Sequence, residues 1–223
     1  MDLRHLPLLE IHRELYGMPR GMERFRAYLE RLTGGTNDVS LPLVAMNPMG
    51  KTHMLAAAEA WIAAGAEEAA AQAVADAAAR LESADGLLRV GLVLGDDVAG
   101  GWTNRFTTDF AQRFESAPML RRDFATALLW SSEPPSREAA RREVLRAIAR
   151  ALWERAQGGA RSLRQMLAQE DEALRFAGAP APDRSRYAPW LDATDAPTLF
   201  ACLYGDDAAA SLGYAPLHVE AAL

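Results

Sequence analysis

Lysine is almost absent from this sequence: Lys51 is the only lysine among 24 basic residues, and all the others are arginines. A chain so rich in alanine and arginine is typical of a GC-rich genome, in which lysines readily drift to arginine. A lysine that is kept in such a chain indicates a position where a compact ammonium is needed and a guanidinium cannot replace it. Lys51 and its neighbours are therefore the first candidates for a functional stretch.

Cysteine is equally scarce, because Cys202 is the only one. A single cysteine forms no disulfide within the chain, which fits a reducing compartment. Charges break the first ten residues too early for a signal peptide, and charge-free runs stay below the roughly 18 residues of a membrane span. We therefore expect a cytoplasmic protein with no membrane partner.

Positive charge is not in excess either, since the net charge is −6 and the isoelectric point is about 5.3. Nucleic-acid-binding proteins need a basic surface, so we expect no nucleic-acid partner. With 223 residues, of which 50% are hydrophobic, the chain is long and apolar enough for a sizeable core.

Histidines are few and scattered, at positions 5, 12, 53 and 218. No two of them lie three or four residues apart, and one cysteine cannot complete a four-ligand set. We therefore expect no metal and no other cofactor. A catalytic triad is recognised by its geometry, so the sequence alone identifies no catalytic residue.

The predicted secondary structure is mostly helical. Helices and strands do not alternate as in a doubly wound sheet, which favours an α+β fold: a predominantly helical single domain with a small sheet. Turn residues at 34–38 and a proline-containing loop at 179–183 suggest three parts: an N-terminal helical pair at 1–36, a main α+β core at 37–178, and a C-terminal extension at 179–223 that packs on the core. Hydrophobic periodicity predicts helices at 3–16, 20–33, 48–64, 66–82, 103–114, 136–156 and 160–177, strands at 87–94 and 124–130, a short extended run at 39–45, and a strand or helix at 198–204.

The stretch around Lys51 combines a helix start with charged and polar side chains. Asn47-Pro48 predicts a helix with Asn47 at its N-cap and Pro48 at its first position. The N–H groups of that first turn, together with Lys51, Thr52 and His53, would bind a small anion.

The same stretch fits a relaxed phosphate-loop pattern, Ala45-x-x-x-x-Gly50-Lys51-Thr52, and resembles the Walker A loop of P-loop NTPases. The resemblance implies that Lys51 reaches the outer phosphates of a nucleotide and that Thr52 ligates magnesium. Leu92-Val93-Leu94-Gly95-Asp96-Asp97 would then stand in for the acidic Walker B segment.

A second candidate follows the predicted strand 87–94. Gly100-Gly101 makes a tight turn that presents Trp102, Asn104 and Arg105 together, as ligand-binding loops do. The alternative is a structural turn in which Trp102 packs into the core and Thr103 caps the next helix.

The order of elements from 87 to 177 resembles the core of zincin-like metallopeptidases: two strands, a long helix at 136–156, and a further helix at 160–177 that includes Leu163-Arg164-Gln165-Met166-Leu167-Ala168-Gln169-Glu170. In that family the long helix carries HExxH and a glutamate of the next helix is the third zinc ligand, the position that Glu170 would match. Helix 136–156 contains no histidine. The resemblance therefore implies a relative without zinc or peptidase activity.

Three arginines, Arg142, Arg146 and Arg150, recur every four residues on the long predicted helix. Glu138 lies one turn earlier, and we interpret the stripe as a solvated, ion-paired face.

These observations favour a non-catalytic domain that binds a small anionic ligand or a protein partner, with Asn47, Lys51, Thr52, His53, Trp102, Asn104 and Arg105 as candidate ligand-binding residues. A nucleotide-binding enzyme that uses residues 45–52 and a degenerate zincin-like relative stay open as alternatives, and so does a homo-oligomer.

Overall fold

Three parallel strands form a sheet in the order β1-β2-β3. The computed structural model describes residues 1–82, 85–98 and 104–223. Helices surround the small sheet, which confirms the predicted fold class of a predominantly helical α+β domain. The strands are β1 (Asp2–Leu6), β2 (Leu87–Gly95) and β3 (Phe124–Trp130).

Ten α-helices and one 3-10 helix, Ser185–Trp190, lie within the described ranges. The long helix α7 begins after Ser136, the predicted start of that helix, whose side chain accepts a hydrogen bond from the backbone N–H of Ala139. The α-helices are α1 (Leu8–Gly17), α2 (Met22–Thr33), α3 (Thr52–Ala63), α4 (Ala66–Arg80), α5 (Arg105–Phe114), α6 (Ala117–Leu120), α7 (Arg137–Gln157), α8 (Leu163–Phe176), α9 (Ala196–Tyr204) and α10 (Asp206–Ser211).

The central strand β2 is buried along most of its length, as expected for a parallel strand with neighbours on both edges and helices over its faces. Helix α1 packs on it so closely that a Cβ at Gly91 would lie 2.5 Å from a methyl carbon of Leu8. Helix α7 packs along β3 and β2, and α4 packs along β1 and α7. The apolar run that predicted strand 87–94 therefore reflects burial on both faces.

The prediction of a helix over residues 3–16 is wrong for the first five residues. Residues 2–6 form β1, which pairs with β2 from Asp2 opposite Leu87 to Leu6 opposite Gly91, and α1 begins only after Pro7. The five residues of β1, Asp-Leu-Arg-His-Leu, are too few to show a decisive period, and pairing with a strand remote in sequence decides their conformation. Four helices separate β1 from β2, so no strand–helix alternation is visible in the sequence.

Residues 39–45, predicted as an extended run, form bends and a turn but no strand. The ambiguous segment 198–204 is helical, within α9, which begins after the N-cap Asp195. Asp195 accepts a hydrogen bond from the backbone N–H of Thr198, and Pro197 lies in the first turn. A capping signal therefore existed upstream of the apolar run.

The buried apolar side chains form two clusters. The larger, which we call the sheet cluster, contains residues of all three strands and of α1, α3, α4 and α7. The smaller, which we call the helix cluster, contains residues of α5, α8 and α9, among them Phe114, Leu163 and Cys202. None of the helices within the described ranges combines the length and the apolarity of a membrane span.

Candidate functional site

Two consecutive aspartates, Asp96 and Asp97, follow the carboxyl end of the central strand β2. Ligands of parallel sheets bind preferentially outside this end of the strands. Asp96 contacts the predicted stretch that contains Asn47 and His53, whereas Asp97 contacts Arg105 of the other predicted stretch. The end of β2 thus connects the two stretches that the sequence singled out.

In the stretch that contains Asn47 and His53, the buried carboxylate of Asp96 orients the imidazole of His53. The Nε2 atom of His53 lies 2.8 Å from Oδ1 of Asp96, and Nδ2 of Asn47 lies 3.4 Å from Oδ2. The side chain of His53 is 28% exposed, whereas that of Asp96 is only 2% exposed. An imidazole held in this way can exchange protons with solvent or with a bound molecule.

Asn47 does not cap a helix, and the predicted start at Pro48 is wrong. Helix α3 begins at Thr52, and the residue at its N-cap position, Lys51, makes no side-chain capping bond. Instead, Oδ1 of Asn47 accepts from the N–H of Met49, and its carbonyl accepts from Gly50 N–H and from the hydroxyl of Tyr16. These contacts hold residues 47–50 in a turn, which delays the helix.

The side chains of Lys51 and Thr52 are exposed. They do not line the cavity described below, whose residues come from other elements. A Walker A loop connects a strand directly to a helix. Here the segment before the loop is not a strand, so the loop lacks that framework.

In the stretch that contains Arg105, Asn104 caps helix α5. Its Oδ1 accepts from the N–H groups of Phe106, at 2.9 Å, and Thr107, at 3.1 Å. Asn104, rather than the predicted Thr103, therefore occupies the N-cap. The predictions for Trp102 and Thr103 fall on residues outside the described ranges.

Arg105 is held by two carboxylates and an aromatic ring. Its guanidinium donates to Asp97 at 2.5 Å and to Glu133 at 2.8 Å, and it lies 5.1 Å from the ring centroid of Trp130. The same ring also packs against the backbone of Gly95, where a Cβ would lie only 2.7 Å from a ring carbon of Trp130. A side chain at Gly95, the last residue of β2, would therefore push against the ring of Trp130.

Beside Arg105 lies a cavity of about 370 Å³, lined by parts of α5, β3, α7 and α9. A volume of this size is at the small end of the range for ligand pockets. Trp130 and Tyr204 contribute aromatic surface, and most of the remaining lining is charged. The charged residues of the lining are Arg105, Arg113, Arg142, Arg146, Asp109, Glu133 and Glu143.

The predicted arginine stripe of α7 is not a solvated face. Arg142 and Arg146 line the cavity, and Arg150 is buried. Arg146 donates from Nη1 to Glu143 at 2.8 Å, while its buried Nε has no hydrogen-bond partner in the part of the chain that the structure describes. Burial lowers the pKa of Arg146, and the guanidiniums of Arg150, Arg113 and Arg142 lower it further, against the opposing effect of Glu143.

Glu170 is buried behind the cavity wall between two arginines. Arg150 donates to both of its oxygens, at 2.7 and 2.8 Å, and Arg113 donates to Oε2 at 2.7 Å. Burial alone would raise the pKa of Glu170, but Arg150 and Arg113 outweigh it and lower the pKa to about 2. The glutamate at the position of a zincin ligand is therefore engaged in an ion-pair network.

No group of three or more His, Cys, Asp and Glu side chains within the described ranges is arranged to hold a metal ion. Among the charged residues of the lining, the sequence patterns did not single out Asp109, Arg113, Glu133 and Glu143. Glu133 lies in a loop and Glu143 lies within the arginine-rich helix, so neither has a motif of its own. Arg142 and Arg146 did carry a signal, their regular spacing, but the partner elements that bury the stripe are remote in sequence.

Comparison with known proteins gives no family model, no curated protein and no solved structure that matches this chain.

Proposed function

We propose that this protein is a non-catalytic cytoplasmic domain that binds a small anionic molecule in the cavity beside Arg105. The observation that carries the proposal is the shortage of acceptors around the arginines of α7. Within the described residues, Glu143 is the only carboxylate within 4.0 Å of Arg142, and Arg146 donates to that same carboxylate. A carboxylate or phosphate would supply the missing acceptors, since guanidinium groups bind both in bidentate fashion.

The electrostatics of the wall support the same ligand class. Arg146 is crowded by three guanidiniums, and the acids nearest to them already serve as partners: Glu170 for Arg113 and Arg150, and Glu143 for Arg146 itself. An anion in the cavity would offset the repulsion among these like charges. The proposal thus moves the anion site from residues 47–53 to the cavity and keeps Arg105 as part of its wall.

This geometry favours binding over the two enzyme alternatives. For a P-loop nucleotide enzyme, the strand that should lead into residues 45–52 is missing. For a degenerate zincin relative, Glu170 serves Arg113 and Arg150 instead of facing an open site. The His53–Asp96 pair could move a proton, but it does not belong to the lining of the cavity.

Calorimetric titration with inorganic phosphate and with succinate tests the proposal. We expect at least one of the two probes to bind, and the double variant Arg142→Gln/Arg146→Gln to weaken that binding by tenfold or more. Losing a charge-assisted hydrogen bond costs about 1.5–3 kcal/mol, and about 1.4 kcal/mol corresponds to a tenfold change.

Arg141→Gln provides the matched control. Arg141 lies on the same helix with a side-chain exposure of 39%, close to the 42% of Arg142, but it pairs with Asp76 outside the cavity. We expect this variant to bind like the wild type. Equal weakening by the control would contradict the proposal, and so would absence of binding for phosphate, succinate and amino acids alike. Arg142→Gln alone provides the same readout if the double variant is unstable.

A further inference from the structure

The wall of the cavity that we propose to bind an anion also contains three side-chain carboxylates. Asp109 accepts hydrogen bonds from Arg113 and from the hydroxyl of Tyr204, so the two that concern a ligand are Glu133 and Glu143. Glu133 lies in the loop after β3, and Glu143 lies on α7 between the two cavity arginines. Oε1 of Glu133 accepts from Arg105, and Oε1 of Glu143 accepts from Arg146. The second oxygen of each glutamate accepts no hydrogen bond from any residue that the structure describes.

Glu133 shares its arginine partner with a second carboxylate. Burial raises the pKa of Glu133; Arg105 opposes this shift, and the nearby carboxylates of Glu143 and Asp97 add to it. Arg105 is shared, because it also donates to Asp97. The shared arginine therefore stabilises the charge of Glu133 less than an arginine that paired with Glu133 alone would do.

The cavity thus contains two groups of charged side chains, one positive and one negative, that are incompletely paired. Arg142 and Arg146 share the single carboxylate of Glu143, and the second oxygens of Glu133 and Glu143 accept no hydrogen bond within the described residues. A simple dianion would satisfy the arginines but would bring its charge close to the two glutamates. A ligand that carries an ammonium as well as an acid group would satisfy both groups.

We propose that the ligand of this cavity is a small zwitterion of the amino-acid class, whose carboxylate is held by Arg142 and Arg146 and whose protonated amine is held by Glu133 and Glu143. This inference rests on the anion-binding function proposed above. A free amino acid also fits the size of the cavity, which is at the lower limit for ligand pockets.

Three pairs of probes that differ only in the amine separate the two proposals: L-aspartate and succinate, L-alanine and propionate, and L-phenylalanine and 3-phenylpropanoate. Calorimetry on the full chain at pH 7 measures the dissociation constant of each. We expect the amino acid of at least one pair to bind at least tenfold more tightly than its deaminated partner.

Variants test whether Glu133 causes the preference for the amino acid over its deaminated partner. Glu133→Gln should reduce the advantage of the amino acid to threefold or less while the deaminated acid binds as well as before or better. Arg146→Gln should weaken both members of the pair. Glu138→Gln, on the same helix as Glu143 but outside the cavity lining, should bind like the wild type, and a thermal unfolding curve for each variant confirms that it is folded.

The outcomes distinguish the two proposals. If each deaminated acid binds as tightly as its amino acid and binding still depends on Arg142 and Arg146, the zwitterion is wrong and the anion-binding function stands. If the preference exists but Glu133→Gln leaves it unchanged, the assignment to Glu133 is overturned. If none of the six probes and no phosphate binds at millimolar concentration, both proposals fail.

Discussion

The sheet cluster and the helix cluster bury ionisable groups in opposite ways. In the sheet cluster, His12 of α1 is completely buried, and neither ring nitrogen has a hydrogen-bond partner among the described residues. Beside the helix cluster, Glu170 is buried with three charge-assisted hydrogen bonds from Arg113 and Arg150. His12 avoids the cost of burying a charge by remaining neutral, whereas Glu170 remains charged because two arginines donate to it.

The comparison has a consequence for stability. A neutral buried group is vulnerable to pH, because protonation would place a charge where nothing compensates for it. A paired buried charge resists pH but depends on every partner, because removing one leaves the others uncompensated. The two regions should therefore respond to different perturbations.

Removing the carboxylate of Glu170 tests this difference with the largest expected effect. Glu170→Ala should destabilise the protein by about 3–5 kcal/mol, because the buried guanidinium of Arg150 loses its carboxylate partner and Arg113 keeps only Asp109. Urea unfolding measures the change. Glu172→Ala on the same helix, whose partner Arg175 is 59% exposed, should change the free energy of unfolding by no more than about 0.5 kcal/mol. A similar loss in both variants would break the comparison.

Acidification should act through the sheet cluster. Burial lowers the pKa of His12 to about 3, below its ordinary value of 6.5. The unfolded chain then binds the extra proton as pH falls below 6.5, so the histidine makes the folded state lose about 1.4 kcal/mol per pH unit towards pH 3. Between pH 7 and pH 5 its contribution to this loss is about 2 kcal/mol.

Substituting the histidine isolates that contribution. His12→Leu should remove this part of the pH dependence, as measured by urea unfolding at pH 5 and pH 7. His218→Gln, at a side chain that is 84% exposed, should retain it. If His12→Leu lost as much stability on acidification as the wild type, His12 would not be the group responsible.

Adding a methyl group at Gly95 tests the packing of an uncharged contact, that between Gly95 and Trp130, against the charged and ionisable groups above. Gly95→Ala adds a methyl group 2.7 Å from the Trp130 ring and should cost about 1 kcal/mol, with a change in tryptophan fluorescence. Gly159→Ala is the control, because its Cβ would meet only a side-chain oxygen of Glu154, at 3.9 Å. We expect that control to be neutral or slightly stabilising. Equal effects at both positions would indicate that the ring of Trp130 adapts freely.

Local signals explain which elements could be predicted. Strand β3 matches the predicted 124–130, and the bounds of α7 and α8 lie within a few residues of the predictions, because each has an apolar pattern with a capping residue or a turn before it. Strand β1 could not be predicted, since its conformation depends on pairing with β2, more than 80 residues later.

The site was predictable only in part, for a related reason. Arg105 and His53 stood out by residue type, and Asp96-Asp97 by position after a strand. His53 pairs with Asp96 and Arg105 pairs with Asp97. These pairs depend on how α3 and α5 meet the end of β2, which no local pattern encodes. The predicted cap at Asn47 was wrong because Tyr16, remote in sequence, holds the carbonyl of that residue.

The parallel pairing of β1 with β2 also determines the order in which the chain can assemble. Asp2 meets Leu87, whereas Arg89 of the same central strand meets Phe124 after a loop less than half as long. Closure entropy grows only logarithmically with loop length, so the longer loop costs less than about 1 kcal/mol more. In the complete chain refolding from denaturant, the shorter loop between β2 and β3 nevertheless closes sooner than the longer loop between β1 and β2. We therefore expect β2, β3 and α7 to form the folding nucleus, with β1 docking late, so that substitutions in β1 accelerate unfolding while leaving the folding rate nearly unchanged.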